Sequence, residues 1–340
     1  MTDYEQLYPM HVGDDDVETK PVTPKKRIGI LMFLVVMLSI AIPIAFSWLF
    51  LEDLSPLTVL VLNTLLITVG AILIPTLIHI FKGRRIIDTY NMGRLPWNQV
   101  IPCVLFGIGL CFAALILSNI LMGIYEHFGA DLSAFSGSEL PDLRDPVNFI
   151  VTVICICVAP AVCEELLCRS AILYSLRTKG MYSAALWSGL YFALLHTNFV
   201  NLPMYIALGF IFGIIAYKTR SVFSTMIVHF FYNFMVILLQ LLASDATPSA
   251  QSSSIGITTV DFWVSLSFLA TVAAAFLVPA TIMFIKNCRK NDIAYSGNDA
   301  VTVYDEYNSV GDMSVPTGKG FIVASMIILM VLTGSTVLSL

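Results

Sequence analysis

The chain has 340 residues, of which 57% are hydrophobic and 12% charged, against roughly 25% charged in ordinary soluble domains. That composition excludes a water-soluble globular domain and places most of the chain in lipid as one helical bundle, because membrane bundles grow by adding spans rather than separate cores. The net charge of -5 does not mark a basic partner, since the acids gather in loops and in the N-terminal tail, as at Asp14, Asp15 and Asp16.

Taken in chain order, residues 1–27 read as a polar cytoplasmic tail, and the first apolar run, 28–51, follows Lys25, Lys26 and Arg27. The basic flank resembles that of a signal peptide. The run is nevertheless too long for an h-region of about 7–15 residues and lacks a small-x-small exit, so it is expected to remain as a spanning helix. A hydrocarbon core about 30 Å thick needs about 20 apolar residues per helix. Further runs fall near 57–81, 100–124, 147–177, 181–197, 202–217, 221–243 and 261–285, the fifth and sixth of the series being short. Residues 287–319, rich in Asn, Asp, Ser, Gly and Tyr, read as a polar cytoplasmic loop without a fold of its own, and a last apolar run occupies 320–340. The expected fold is all-α, a polytopic transmembrane bundle of 8 to 9 spans whose body is 28–286.

Lys and Arg are retained on the cytoplasmic side of a membrane. Here they recur at every second connection: Lys82, Arg84, Arg85 and Arg94 after the second run, Arg177 and Lys179 after the fourth, Lys218 and Arg220 after the sixth, and Lys286, Arg289 and Lys290 after the eighth. The N-terminus is therefore expected in the cytoplasm. Cys103, Cys111, Cys155, Cys157 and Cys163 lie in apolar runs, Cys168 beside a charged cluster and Cys288 in a basic loop. They form neither a disulfide framework nor a CxxC zinc pair.

An ionisable residue inside a span costs about 3 kcal/mol or more and is a functional-site hypothesis by default. The fourth run holds Glu164, Glu165 and Arg169, the fifth His196, and the seventh His229 and Asn233. Glu165 and Arg169 are four apart and share a helical face, which suits an ion pair, whereas Glu164 is turned by about 100° from its neighbour. Glu164 is thereby the expected general base for water, and Glu165 its anchored neighbour. His229 and Asn233, also four apart, present an imidazole and an amide on one face, a donor pair for an oxyanion. Phe192, one turn before His196, is placed to pack over that imidazole.

Alone, a buried glutamate and arginine are more often structural than catalytic, and a single span histidine is no better evidence. Convergence of six polar residues in three runs is what shifts the balance. His79 lacks such company, and His11 and His127 belong to tail and loop. Gly209 and Gly213 form a GxxxG face for close helix approach. Pro160, one turn before the glutamates, reads as a kink that leaves a backbone carbonyl free.

Glu164-Glu165-Leu166-Leu167-Cys168-Arg169, Phe192-Ala193-Leu194-Leu195-His196 and His229-Phe230-Phe231-Tyr232-Asn233 resemble the EExxxR, FxxxH and HxxxN/D motifs of the CPBP intramembrane protease family. That family includes CAAX prenyl endopeptidases and bacterial proteins linked to bacteriocin processing and self-immunity. The resemblance covers about 147–243, the expected protease core. It implies a glutamate-dependent intramembrane endopeptidase in a bacterial cell membrane, acting on a membrane-associated or prenylated peptide and not on nucleic acid. Glu164 would activate water, and Glu165, His196, His229 and Asn233 would complete the site, supported by Arg169 and Phe192. The family is commonly called metalloprotease, which leaves two roles open: Glu164, His196 and His229 as ligands of zinc or another divalent metal, or the same groups acting directly. There is no HExxH, and the direct role is the one favoured here. The competing readings are a non-catalytic immunity or scaffold protein and an ion-coupled transporter with a proton-binding glutamate pair.

Overall fold

A computed structural model describes residues 25–49, 54–81, 94–130, 140–176, 180–196, 198, 200–243 and 257–295. The N-terminal tail before Lys25, most of the polar loop and the apolar run at 320–340 lie outside them. Among the described residues there are eight helical segments and no strand. They are α1 (Lys25–Leu49), α2 (Pro56–Ile80), α3 (Trp97–His127), α4 (Pro146–Leu176), α5 (Met181–Leu195), α6 (Leu202–Thr219), α7 (Val222–Ala243) and α8 (Val260–Tyr295). Six of them are long and apolar enough to cross a membrane, and α1 and α5 carry shorter apolar stretches. The protein is an integral, multi-pass membrane protein. Helices are imposed on it by lipid, which offers backbone N–H and C=O groups no partner of its own.

Entry into the helices is marked locally. Ser55 caps α2 by accepting from the Thr58 N–H, and Asp145 caps α4 by accepting from Asn148 N–H at 2.9 Å, each followed by a proline at the first helical position. The α8 helix runs on to Tyr295, past the boundary expected at 286. Its Lys, Arg and Asn extension leaves the apolar stretch without a Gly or Pro to stop it.

The bundle is inverted relative to a soluble domain. Leu65, Ile101, Ile150, Val264 and Phe268 stand exposed on its outside, while Thr152, Glu165, Arg169, Ser170, Ser188 and His229 are buried. Lipid is the solvent for the first set, and of the second Glu165, Arg169, Ser188 and His229 find partners within the protein. Packing centres on two helices: α4 touches α2, α5 and α7, whereas α3 supports α7 and α8.

Small residues set the closest approaches. A Cβ on Gly209 would lie 2.7 Å from the Gly189 Cα, and one on Gly213 would lie 2.8 Å from the Ala185 Cα. The GxxxG face of α6 thus meets small residues of α5 almost backbone to backbone. A second close approach carries no motif: a Cβ on Gly107 of α3 would lie 2.6 Å from the Val228 carbonyl oxygen. That contact fixes the height of α7 beside His229.

Candidate active site

The α4 helix is interrupted twice, by π-helical turns at Val153–Val158 and Leu166–Leu173, on either side of the α-helical turn Ala159–Glu165 that presents the glutamates. The first widening lies directly ahead of Pro160. A proline ring presses on the carbonyl four residues earlier and cannot donate to it, and a wider turn relieves that pressure.

Glu165 and Arg169 are fully buried and form the expected ion pair, with Arg169 Nη1 donating to Glu165 Oε1 at 2.8 Å. The guanidinium also donates through Nη2 to the Gly209 carbonyl at 3.1 Å, and its Cζ lies 4.8 Å from the Phe192 ring centroid and 5.2 Å from that of Phe212. Removing one member of such a pair typically costs about 3–5 kcal/mol, because the other charge is left buried and uncompensated. The same carboxylate oxygen accepts from His229 Nδ1 at 3.0 Å. Glu165 therefore joins the first and third motifs, a link the helical spacings alone did not contain.

Phe192 is the common wall. Its ring centroid lies 4.7 Å from His196, 5.7 Å from His229 and 5.9 Å from Phe212. His196 ends α5, its Nδ1 donating to the Phe192 carbonyl at 2.9 Å. A carbonyl can only accept, so Nδ1 holds the proton of the neutral ring and Nε2 its lone pair. Tyr205 stacks on the other face at 4.0 Å between centroids and 22° between planes. The connection beyond His196 is pinned by Asn201 N–H donating to Asn198 Oδ1 at 3.0 Å and by Ser118 of α3 donating to Asn201 Oδ1 at 2.8 Å.

Glu164 differs from its neighbour. It is only partly buried, although each of the two carboxylates keeps a buried Oε2 without a hydrogen-bond partner among the described residues. It lies within electrostatic reach of His196 and Tyr205. Asn233 does not stand beside His229 facing open space; its Nδ2 donates to the Ile156 carbonyl at 2.8 Å.

The donor set does not match a three-ligand catalytic zinc site. Glu165 is already shared by Arg169 and His229, and no group of three His, Cys, Asp or Glu among the described residues is arranged to hold a metal ion. Tyr205, Phe212 and the Gly209 and Ile156 carbonyls were not foreseen in the sequence. Each reaches the site from another helix or through backbone, and a linear motif records neither.

Residues 146–235 match the family described as type II CAAX prenyl endopeptidase Rce1-like. Among curated proteins the chain is similar to "Putative membrane peptidase YdiL" of Bacillus subtilis (strain 168), with 28% identity over 140 residues, 41% of this chain and 57% of that protein. The chain thus spans little more than half the length of this relative. No solved structure gives a significant match.

Proposed function

We propose, for a chain whose residues 146–235 match the type II CAAX prenyl endopeptidase Rce1-like family, that it is an intramembrane protease that hydrolyses peptide bonds of membrane-associated substrates with Glu164 as the base that activates water. The observation carrying this reading is the contrast within one dipeptide. Among the described residues each carboxylate keeps a buried Oε2 without a hydrogen-bond partner, but Glu165 is fully buried and tied through Oε1 to Arg169 and His229, while Glu164 is only partly buried.

In this mechanism Glu164 takes a proton from water as the water oxygen bonds to the scissile carbonyl carbon. His196, its Nδ1 proton committed to Phe192, accepts from the same water through Nε2 and orients it. The carbonyl electron pair moves onto oxygen, and the oxyanion is received by the second N–H of Asn233 and by His229 Nε2–H. Since Nδ1–H of His229 is held by Glu165, Nε2 donates to the oxyanion only from the doubly protonated ring. Collapse of the intermediate breaks the C–N bond. The proton held by Glu164 passes to the departing amine, leaving a carboxylate product and a free amine.

No step runs through a metal. A chelator such as 1,10-phenanthroline is therefore expected to leave turnover unchanged after removal of excess reagent, and loss restored by added zinc would overturn the direct role.

The decisive experiment uses the full chain, purified in detergent, with a fluorogenic peptide ending in a farnesylated CaaX sequence and the same peptide without the lipid. Glu164→Gln is expected to lower kcat about 100-fold or more. Undiminished turnover would remove Glu164 from the mechanism. Cleavage of the farnesylated peptide alone assigns the prenylated class, and equal cleavage of both assigns a broader membrane-peptide class.

A further inference from the structure

Pro160 lies four residues before Glu164 on α4, and the mechanism above gives it no part. In an α-helix the Ile156 carbonyl would accept from the N–H of residue 160, which proline lacks. The group that reaches this carbonyl from outside the helix is Asn233 Nδ2, on α7, at 2.8 Å. A primary amide nitrogen carries two hydrogens in the plane of the amide. Once one is held by Ile156, the direction of the other is set and no longer turns with the side chain.

The backbone around both groups is fixed independently. The π-helical turn Val153–Val158 presents the Ile156 carbonyl, and the close approach of Gly107 to Val228 holds α7 against α3 one turn ahead of Asn233. A simple kink would need no such partner, yet the partner is the asparagine of the third motif.

We infer that Pro160 is a positioning residue of the peptidase site: by withholding an N–H, it leaves the Ile156 carbonyl to orient Asn233, whose remaining N–H is thereby set toward the oxyanion. The inference rests on the proposed peptidase reading. Its effect is one of alignment, and misplacing a catalytic group by about 1 Å can cost about 100-fold in rate.

A double-mutant cycle on the full chain tests it, with the farnesylated and unprenylated fluorogenic peptides as probes. Pro160→Ala restores the N–H, allows the helix to claim the Ile156 carbonyl, and is expected to lower kcat about tenfold with KM within about twofold. Asn233→Ala is expected to lower kcat about 100-fold. The double variant should lose no more than Asn233→Ala alone, since Pro160 acts only through that amide. Multiplicative losses, or an unchanged kcat for Pro160→Ala, would overturn the inference.

Pro160→Gly restores the same N–H and must lower kcat with the same KM pattern; wild-type kcat there would also overturn it. Thermal unfolding of the four proteins gives a readout independent of turnover. Asn233→Ala should destabilise the protein more when Pro160 is present than when it is replaced. Coupling in stability without coupling in kcat identifies a purely structural bond and rejects the positioning role. If the wild type cleaves neither peptide, or Glu164→Gln equals it, the peptidase reading fails and the inference with it. An active wild type with an additive cycle rejects the inference alone.

Discussion

Two halves of the site, built from adjacent glutamates, are held in opposite ways. Around Glu165 one carboxylate oxygen is held by Arg169 at 2.8 Å and His229 at 3.0 Å, with two phenyl rings and the Gly209 carbonyl about the guanidinium. Glu164 is partly exposed, and the histidine of its half stands at the end of a helix. A carboxylate tied to a cation and a second donor has little basicity to offer a water molecule. One without them has that capacity, provided something else keeps it in place, and the Glu165 half is what keeps it there. The division predicts that substitutions in the first half are felt in stability and those in the second in rate.

The largest effect is expected where the first half is broken. Arg169→Met leaves Glu165 and its histidine in the bundle without the cation, and should cost about 3–5 kcal/mol of stability, read as a large fall in the thermal unfolding midpoint in detergent. Loss of activity with stability intact would invert the comparison. Next comes Glu164→Gln, which keeps the shape of the side chain and removes the base. Its unfolding should match wild type within about 0.5 kcal/mol while kcat falls about 100-fold or more. A destabilised but active Glu164→Gln would make Glu164 a second structural carboxylate. Smaller again is Gly209→Val, whose branched side chain has no room against Gly189. Overpacking there should cost about 1–3 kcal/mol, and displacement of the Gly209 carbonyl from Arg169 would carry the damage into the first half. A KM change without loss of stability would place Gly209 on the substrate path instead.

The sequence made one of these halves legible and left the other half-read. Glu165 and Arg169 are an i, i+4 pair, and helical geometry alone brings them together. His229 and Asn233 were read from the same spacing as one donor face. In the fold both point to α4, but each spends its first hydrogen bond on the protein, His229 on Glu165 and Asn233 on the Ile156 carbonyl. Spacing can say that two residues share a face; it cannot say what the opposite helix offers them. The π-helical turns Val153–Val158 and Leu166–Leu173 defeat a 3.6-residue reading for the same reason, since widening is decided by packing and by Pro160 rather than by apolar period. The apolar runs themselves carry a stronger signal, because a membrane leaves few alternatives to helix. Helix ends are weaker, as the extension of α8 to Tyr295 illustrates.

Tyr205 offers the finest test of the comparison, because it belongs to the reactive half and yet makes a contact of the structural kind. It stacks on His196 at 4.0 Å, opposite the Phe192 ring at 4.7 Å, so the imidazole is held between two aromatic planes. Such contacts are worth about 0.5–1.5 kcal/mol beyond the area they bury. Tyr205→Phe retains the stacked ring and removes only the hydroxyl, whereas Tyr205→Leu removes the ring. If Tyr205 serves by fixing the plane of His196, Tyr205→Phe should keep near-wild-type kcat and Tyr205→Leu should lose about three- to tenfold, the rate equivalent of that contact. Thermal stability should change by no more than the same small amount. Equal loss of rate in both variants would assign the effect to the hydroxyl, making Tyr205 a proton-bearing group beside Glu164 rather than a wall for His196. The reactive half would then hold two ionisable groups as well as its histidine.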